Sequence, residues 1–112
     1  MHELAVASDI LQAVLDQAKA YPGRRVTRVN VRVGELAMIV PDSLSFAFGA
    51  IARDTPAAGA RLEVDETPLR AVCQDCGESA EGLVSRCPSC GGQSLERQGG
   101  HEVILASMEI ED

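Results

Sequence analysis

Aromatic side chains are nearly missing from this 112-residue chain: one tyrosine, two phenylalanines and no tryptophan make up 3% of it. With Tyr21, Phe46 and Phe48 as the only rings, any core must be built from Val, Leu, Ile, Ala and Met. Long apolar runs are absent too. None approaches the ~18 residues that a membrane span requires. Met1-His2-Glu3-Leu4 has neither the basic nor the apolar region of a secretory leader. Basic residues are outnumbered, 10 against 17 acidic ones, for a net charge of −7. That opposes nucleic-acid binding, which demands a positive surface. There is no Ser/His/Asp set and no phosphate-cradling glycine loop, so nothing supports a catalytic reading.

What is present suits a folded unit: 46% hydrophobic and 24% charged residues, over the length of one domain with a small satellite. From Leu4 to Ala20, the apolar residues Leu4, Ala7, Leu11, Val14, Leu15 and Ala18 recur at helical spacing, with Asp9, Gln12, Asp16 and Lys19 opposite. Tyr21-Pro22-Gly23 stops that helix. Thr27, Val29, Val31 and Val33 then alternate with Arg28, Asn30 and Arg32, the pattern of a half-exposed strand that Gly34 breaks. Pro41 and Asp42 open a second helix, with Leu44, Ala47, Phe48 and Ile51 as its stripe. Alternation returns in Arg61 to Glu66, and again in Glu102 to Glu111 with Ile104, Ala106, Met108 and Ile110 on one face.

Between these strands the composition shifts to Cys, Gly, Ser, Gln and Glu. The expected architecture is therefore α+β: two helices on one face of a three-stranded sheet, formed by residues 1–69 and 98–112, with residues 70–97 as an inserted lobe. The strand–helix–strand unit from Val26 to Glu66 suits a crossover between parallel strands.

The lobe carries Cys73-Gln74-Asp75-Cys76-Gly77 and Cys87-Pro88-Ser89-Cys90-Gly91. Each Cys-x-x-Cys turn aims two sulfurs at one point, and the following glycine lets the backbone fold over them, with amides expected to face the thiolates. Two such turns make a closed tetrahedral S₄ shell, which points to structural zinc before disulfides. Four thiolates around a dication would leave the chain more acidic still. An electron-transferring iron site of rubredoxin type has the same geometry. It is disfavoured because no aromatic residue follows Phe48 and the ten-residue spacer is short. A zinc-ribbon module binding another macromolecule is the other alternative, and the acidic charge of the lobe opposes its nucleic-acid form.

At the amino terminus, the α-amine of Met1, the backbone nitrogen of His2 and the His2 imidazole can form fused chelate rings around one ion. Such nitrogens suit Ni(II), with Cu(II) the stronger competitor. One in-plane position remains for Glu3, His101 or a partner protein. His101 is expected to be an exposed residue at a strand start. Acid should release the ion, because a protonated imidazole has no lone pair to give.

As a set these residues resemble the HypA/HybF nickel metallochaperones of [NiFe]-hydrogenase maturation. The resemblance is carried by Met1-His2-Glu3-Leu4, Val31 to Leu36 and Val40-Pro41-Asp42-Ser43-Leu44 with Phe46-Ala47-Phe48. The two cysteine pairs, Gly100-x-Glu102 and Ser107-Met108-Glu109-Ile110-Glu111 complete it. It implies a nickel domain containing His2, a zinc domain held by Cys73, Cys76, Cys87 and Cys90, and delivery of nickel to the hydrogenase large subunit. A cytoplasmic setting and cooperation with a nickel-handling GTPase are implied as well, and some members also serve urease. Monomer and homodimer are both left open. Two departures stand out: the spacer between knuckles is about two residues short, and Gly49 replaces an acidic residue common after the Phe-x-Phe pair.

Overall fold

Helix α1 spans His2–Ala18, beginning and ending two residues earlier than its periodicity suggests. The computed structural model describes residues 2–112; Met1, assigned above to the nickel chelate, lies outside the described residues. The buried side of α1 is Ala7, Ile10, Val14 and Ala18, flanked by Val6 and Leu11. The expected stripe omitted Ile10 and included Leu4, which is 46% exposed. The helix is turned relative to that expectation because Glu3 faces the body of the protein, its carboxylate accepting from the Val40 amide at 3.5 Å. Residues three and four apart then follow Glu3 inward.

Strand β1 (Val26–Gly34) is the centre of the main sheet, parallel to β2 (Arg61–Thr67) and antiparallel to β6 (Val103–Ile110). Helix α2 (Pro41–Ile51) links β1 to β2, so the expected crossover between parallel strands is realised. Both helices lie over this sheet and pack on each other. Val26, Val29, Val31 and Val33 supply the centre of the core, beneath Leu44, Ala47 and Phe48 of α2. Phe48→Ala should destabilise the main sheet by about 3–5 kcal/mol, read from denaturant unfolding, because the ring is 1% exposed.

Two irregularities alter the simple alternation. The β1–β6 register shifts between Val26 and Arg28, leaving Thr27 outside the core, where its hydroxyl donates to the Glu109 carbonyl at 3.3 Å. A second shift, opposite Asn30 and Val31, passes over Ala106. A bulged residue reverses the phase of the strand beyond it. Consequently Leu105, Met108 and Ile110 pack on the core. Ile104 and Ala106, expected on that face, are exposed.

Residues 70–98, one residue beyond the expected end of the lobe, contain a sheet of their own that sequence patterning did not reveal: β3 (Arg70–Cys73) between β4 (Ser79–Glu81) and β5 (Leu95–Gln98). The two sheets share no strand. The molecule is elongated, 56 × 28 × 16 Å, with a radius of gyration of 17.7 Å, against about 13 Å for one compact unit of this length. Between β1 and α2 lies a 3-10 turn, Glu35–Ala37, closed by Met38 in the left-handed region at φ 57°.

Candidate metal centres

The four cysteines converge. Their sulfurs all lie within 4.8 Å of one another, and among the described residues no other cluster of three or more His, Cys, Asp or Glu ligand atoms does so. Cys73 Sγ is 3.6 Å from Cys90 Sγ, and Cys76 Sγ is 3.6 Å from Cys87 Sγ. A tetrahedron with metal–sulfur bonds of ~2.3 Å has edges of about 3.8 Å, so these two spacings match those of a shell around one ion. Cys73 ends β3, and the two knuckles close with matching bonds. The Gly77 amide donates to the Cys73 carbonyl at 2.9 Å, and the Gly91 amide to that of Cys87 at 2.8 Å. Gly77 and Gly91 have φ of +80° and +75° with open space around them, so backbone conformation, not room, selects glycine.

Backbone amides face the sulfurs, as expected: the Gly92 amide donates to Cys90 Sγ at 3.4 Å. Amides also separate the acidities of the thiols. The Cys90 amide, then that of Ser89, holds Cys87 down at about 7 against burial. At Cys76 the Glu78 amide lowers the value, but burial and the thiols of Cys87, Cys90 and Cys73 together push it up to about 12. Four sulfurs this close resist shared ionisation unless a cation neutralises them. This is a cysteine-based metal site.

The second region surrounds the start of α1. His2 Nε2 donates to the Ala37 carbonyl at 2.9 Å, across 35 residues of sequence. A carbonyl can only accept, so Nε2 carries a proton, and in the neutral ring the lone pair is then on Nδ1. The backbone N–H of His2 belongs to the first turn of the helix, where no helical carbonyl reaches it. The Glu3 carboxylate is turned away toward Val40. His2, Glu3 and His101 line one open cleft of about 570 Å³, with Leu36, Ala37, Met38, Ile39 and Val103. His101 is exposed, as expected, but its place beside His2 is a product of the fold: Gly99-Gly100 brings the chain back from the lobe along the 35–37 turn.

The family model for "Hydrogenase/urease nickel incorporation, metallochaperone, hypA" matches residues 1–110. The chain belongs to the HypA family. It is 40% identical over 112 residues to hydrogenase maturation factor HypA of Paracoccus denitrificans, covering 98% of this chain and 99% of the relative. The corresponding factor of Albidiferax ferrireducens is 38% identical, with 99% and 100% covered. Two solved structures share the fold at 23% identity. The solution structure of the Ni metallochaperone HypA from Helicobacter pylori has a TM-score of 0.67, covering 98% of this chain and 97% of that one. A second HypA solution structure has a TM-score of 0.75, covering 99% and 97%. The family comprises nickel-incorporation metallochaperones, and the relatives it matches here are hydrogenase maturation factors. No helix of the described residues is long and apolar enough to cross a membrane.

Proposed function

We propose that this chain binds Ni(II) at its amino terminus and delivers it to the large subunit of [NiFe]-hydrogenase during maturation. The observation that carries the reading is the His2–Ala37 hydrogen bond. By holding a proton on Nε2 it leaves Nδ1 as the ring nitrogen able to bind, and Nδ1 and the backbone nitrogen of the same residue can close a six-membered chelate ring around one ion. The α-amine of Met1 supplies the adjoining five-membered ring. Hydrogen bonding of a ligand imidazole through its other nitrogen is the usual way a metal site orients histidine. The remaining in-plane position is open to Glu3 (through its carboxylate, or through its backbone nitrogen once the imidazole moves aside), to His101, or to an incoming ligand from the recipient, which is what ligand exchange between carrier and client needs.

In this reading residues 1–69 and 98–112 form the nickel domain, and residues 70–97 form the zinc domain. Zinc held by Cys73, Cys76, Cys87 and Cys90 supplies a structural cross-link and no open coordination position. Zinc is favoured over iron because the site lacks surrounding rings: the three aromatic residues all precede it. The absence of a Ser/His/Asp set agrees with a carrier and not an enzyme. Delivery takes place in the cytoplasm with a nickel-handling GTPase, and urease maturation proteins are the second class of client.

The test is a nickel titration of chain with a native amino terminus, beside the same chain extended by two residues before Met1. The native form should take up one planar, diamagnetic Ni(II) per chain and retain one zinc, whereas the extended form should lose the planar complex. Equal nickel binding by both forms would refute the amino-terminal site.

A further inference from the structure

Two carboxylates sit where the two sheets join. The lobe is reached through Thr67-Pro68-Leu69 and left through Gly99 to Glu102, and both segments run against the 34–37 turn. Glu35 Oε1 accepts from the Leu69 amide at 2.8 Å. Glu102 Oε1 accepts from the Thr67 hydroxyl at 2.8 Å, so Glu102 ties the outgoing segment to the returning one. Backbone bonds add to this. The Gly34 amide donates to the Glu102 carbonyl at 2.8 Å, and the Leu36 amide to the Gly100 carbonyl at 2.7 Å. Approach is so close that a Cβ on Gly34 would collide with the Gly100 carbonyl and stand 2.7 Å from Glu102 Oε2. Gly34 itself has an ordinary extended backbone, φ −73° and ψ 149°. Its small size, not its flexibility, is what the junction uses.

Glu102 carries a cost that the main sheet does not explain. Its Oε2 is buried without a hydrogen-bond partner. Such an atom is uncommon, and leaving it unsatisfied is unfavourable unless the group performs some other task. Ala37, whose carbonyl orients the His2 imidazole, ends the same 3-10 turn that Glu35 begins and that Leu36 anchors to Gly100.

We propose that Glu35 and Glu102 are positioning residues: Glu35 fastens the outgoing connection of the lobe to the 34–37 turn, Glu102 fastens that connection to the returning one, and together they hold the Ala37 carbonyl that orients His2. The consequence for nickel rests on the function proposed above; the clasp does not. Opening it frees the lobe to reorient and lets the turn shift, so that the His2 proton is no longer confined to Nε2.

The experiment uses the full zinc-loaded chain with a native terminus and the variant Glu35→Ala/Glu102→Ala. In the native chain, residual dipolar couplings should give both sheets one alignment tensor, and imidazole ¹⁵N shifts should report His2 protonated at Nε2. In the alanine variant the tensor of the lobe should fall relative to that of the main sheet, His2 should become a tautomer mixture, and nickel affinity should drop by about tenfold, the effect of losing an outer hydrogen bond. Glu35→Gln/Glu102→Gln keeps the acceptor oxygens and should restore all three readings. Should the alanine variant fail to fold, Thr67→Val removes only the hydroxyl donor and is read the same way. Unchanged tensors, or diverging tensors with an unchanged His2 tautomer, would overturn the proposal. If the native chain takes up no nickel, the proposed function falls, and the tensors and His2 shifts still decide the clasp.

Discussion

Cys73→Ala will unfold residues 70–97 and release the bound metal, while α1, α2 and the main sheet stay folded. The lobe has almost no core: apart from the metal-site sulfurs, its buried side chains are Ala71 and the adjoining Leu69. Burying one aliphatic side chain contributes about 1.5–3 kcal/mol, whereas fixing the backbone costs about 1–2 kcal/mol for every residue ordered. Three short strands cannot close that gap. A structural S₄ zinc ion contributes on the order of 10 kcal/mol to folding, and it does so only when all four thiolates are in place. The same result is expected at Cys87, Cys76 and Cys90, and on treating the native chain with a strong chelator. Metal analysis and amide NMR provide the check: lobe resonances should collapse to random-coil positions while those of Val29, Val31 and Phe48 persist. A dispersed lobe spectrum from the metal-free variant would contradict the account.

His2→Ala should weaken nickel binding by at least a hundredfold and abolish the planar diamagnetic complex. This exceeds the ~10–100-fold loss typical of a missing outer hydrogen bond, because a ligand atom and its chelate ring disappear together. His2→Gln should behave the same way, since an amide oxygen cannot replace an imidazole nitrogen for a planar d⁸ ion. Zinc content should stay unchanged, as the sulfur cluster belongs to the other sheet. Titration followed by visible absorbance and magnetic susceptibility separates the cases. A Glu3→Ala variant makes a useful contrast: its carboxylate accepts from the Val40 amide just before α2, so its loss should disturb the seating of α1 more than the nickel. Full-strength planar binding by His2→Ala would eliminate this assignment.

Sequence periodicity located both helices and all three main strands, because each is amphipathic and spacing reports which residues share a face. It was less reliable about which face is buried. Apolar spacing counted from Leu4 misses Ile10, because Glu3 bonds the Val40 amide just before α2 and sets the rotation. Alternation places Thr27 and Ile104 inward because it presumes an uninterrupted pleat, and a bulge in each strand breaks it. Nothing local marks those bulges. They follow from pairing with a partner strand more than 70 residues away. The lobe's sheet escaped for a different reason: strands of three and four residues, with polar composition, have no periodicity to read.

The cysteine pairs needed no structure to be recognised. Their ligand chemistry is local: two sulfurs per turn, a glycine after each pair, and a spacer long enough for the halves to meet. The chelating potential of the first residues is local in the same sense, being a matter of covalent connectivity. What folding alone decided is how these pieces relate. The Ala37 carbonyl meets the His2 ring, His101 returns to the same cleft, and Glu35 and Glu102 hold the lobe's two connections because β1 lies between strands from opposite ends of the chain. Covalent neighbours carry their chemistry in the sequence, whereas groups brought together by strand order acquire theirs only when the sheet has formed.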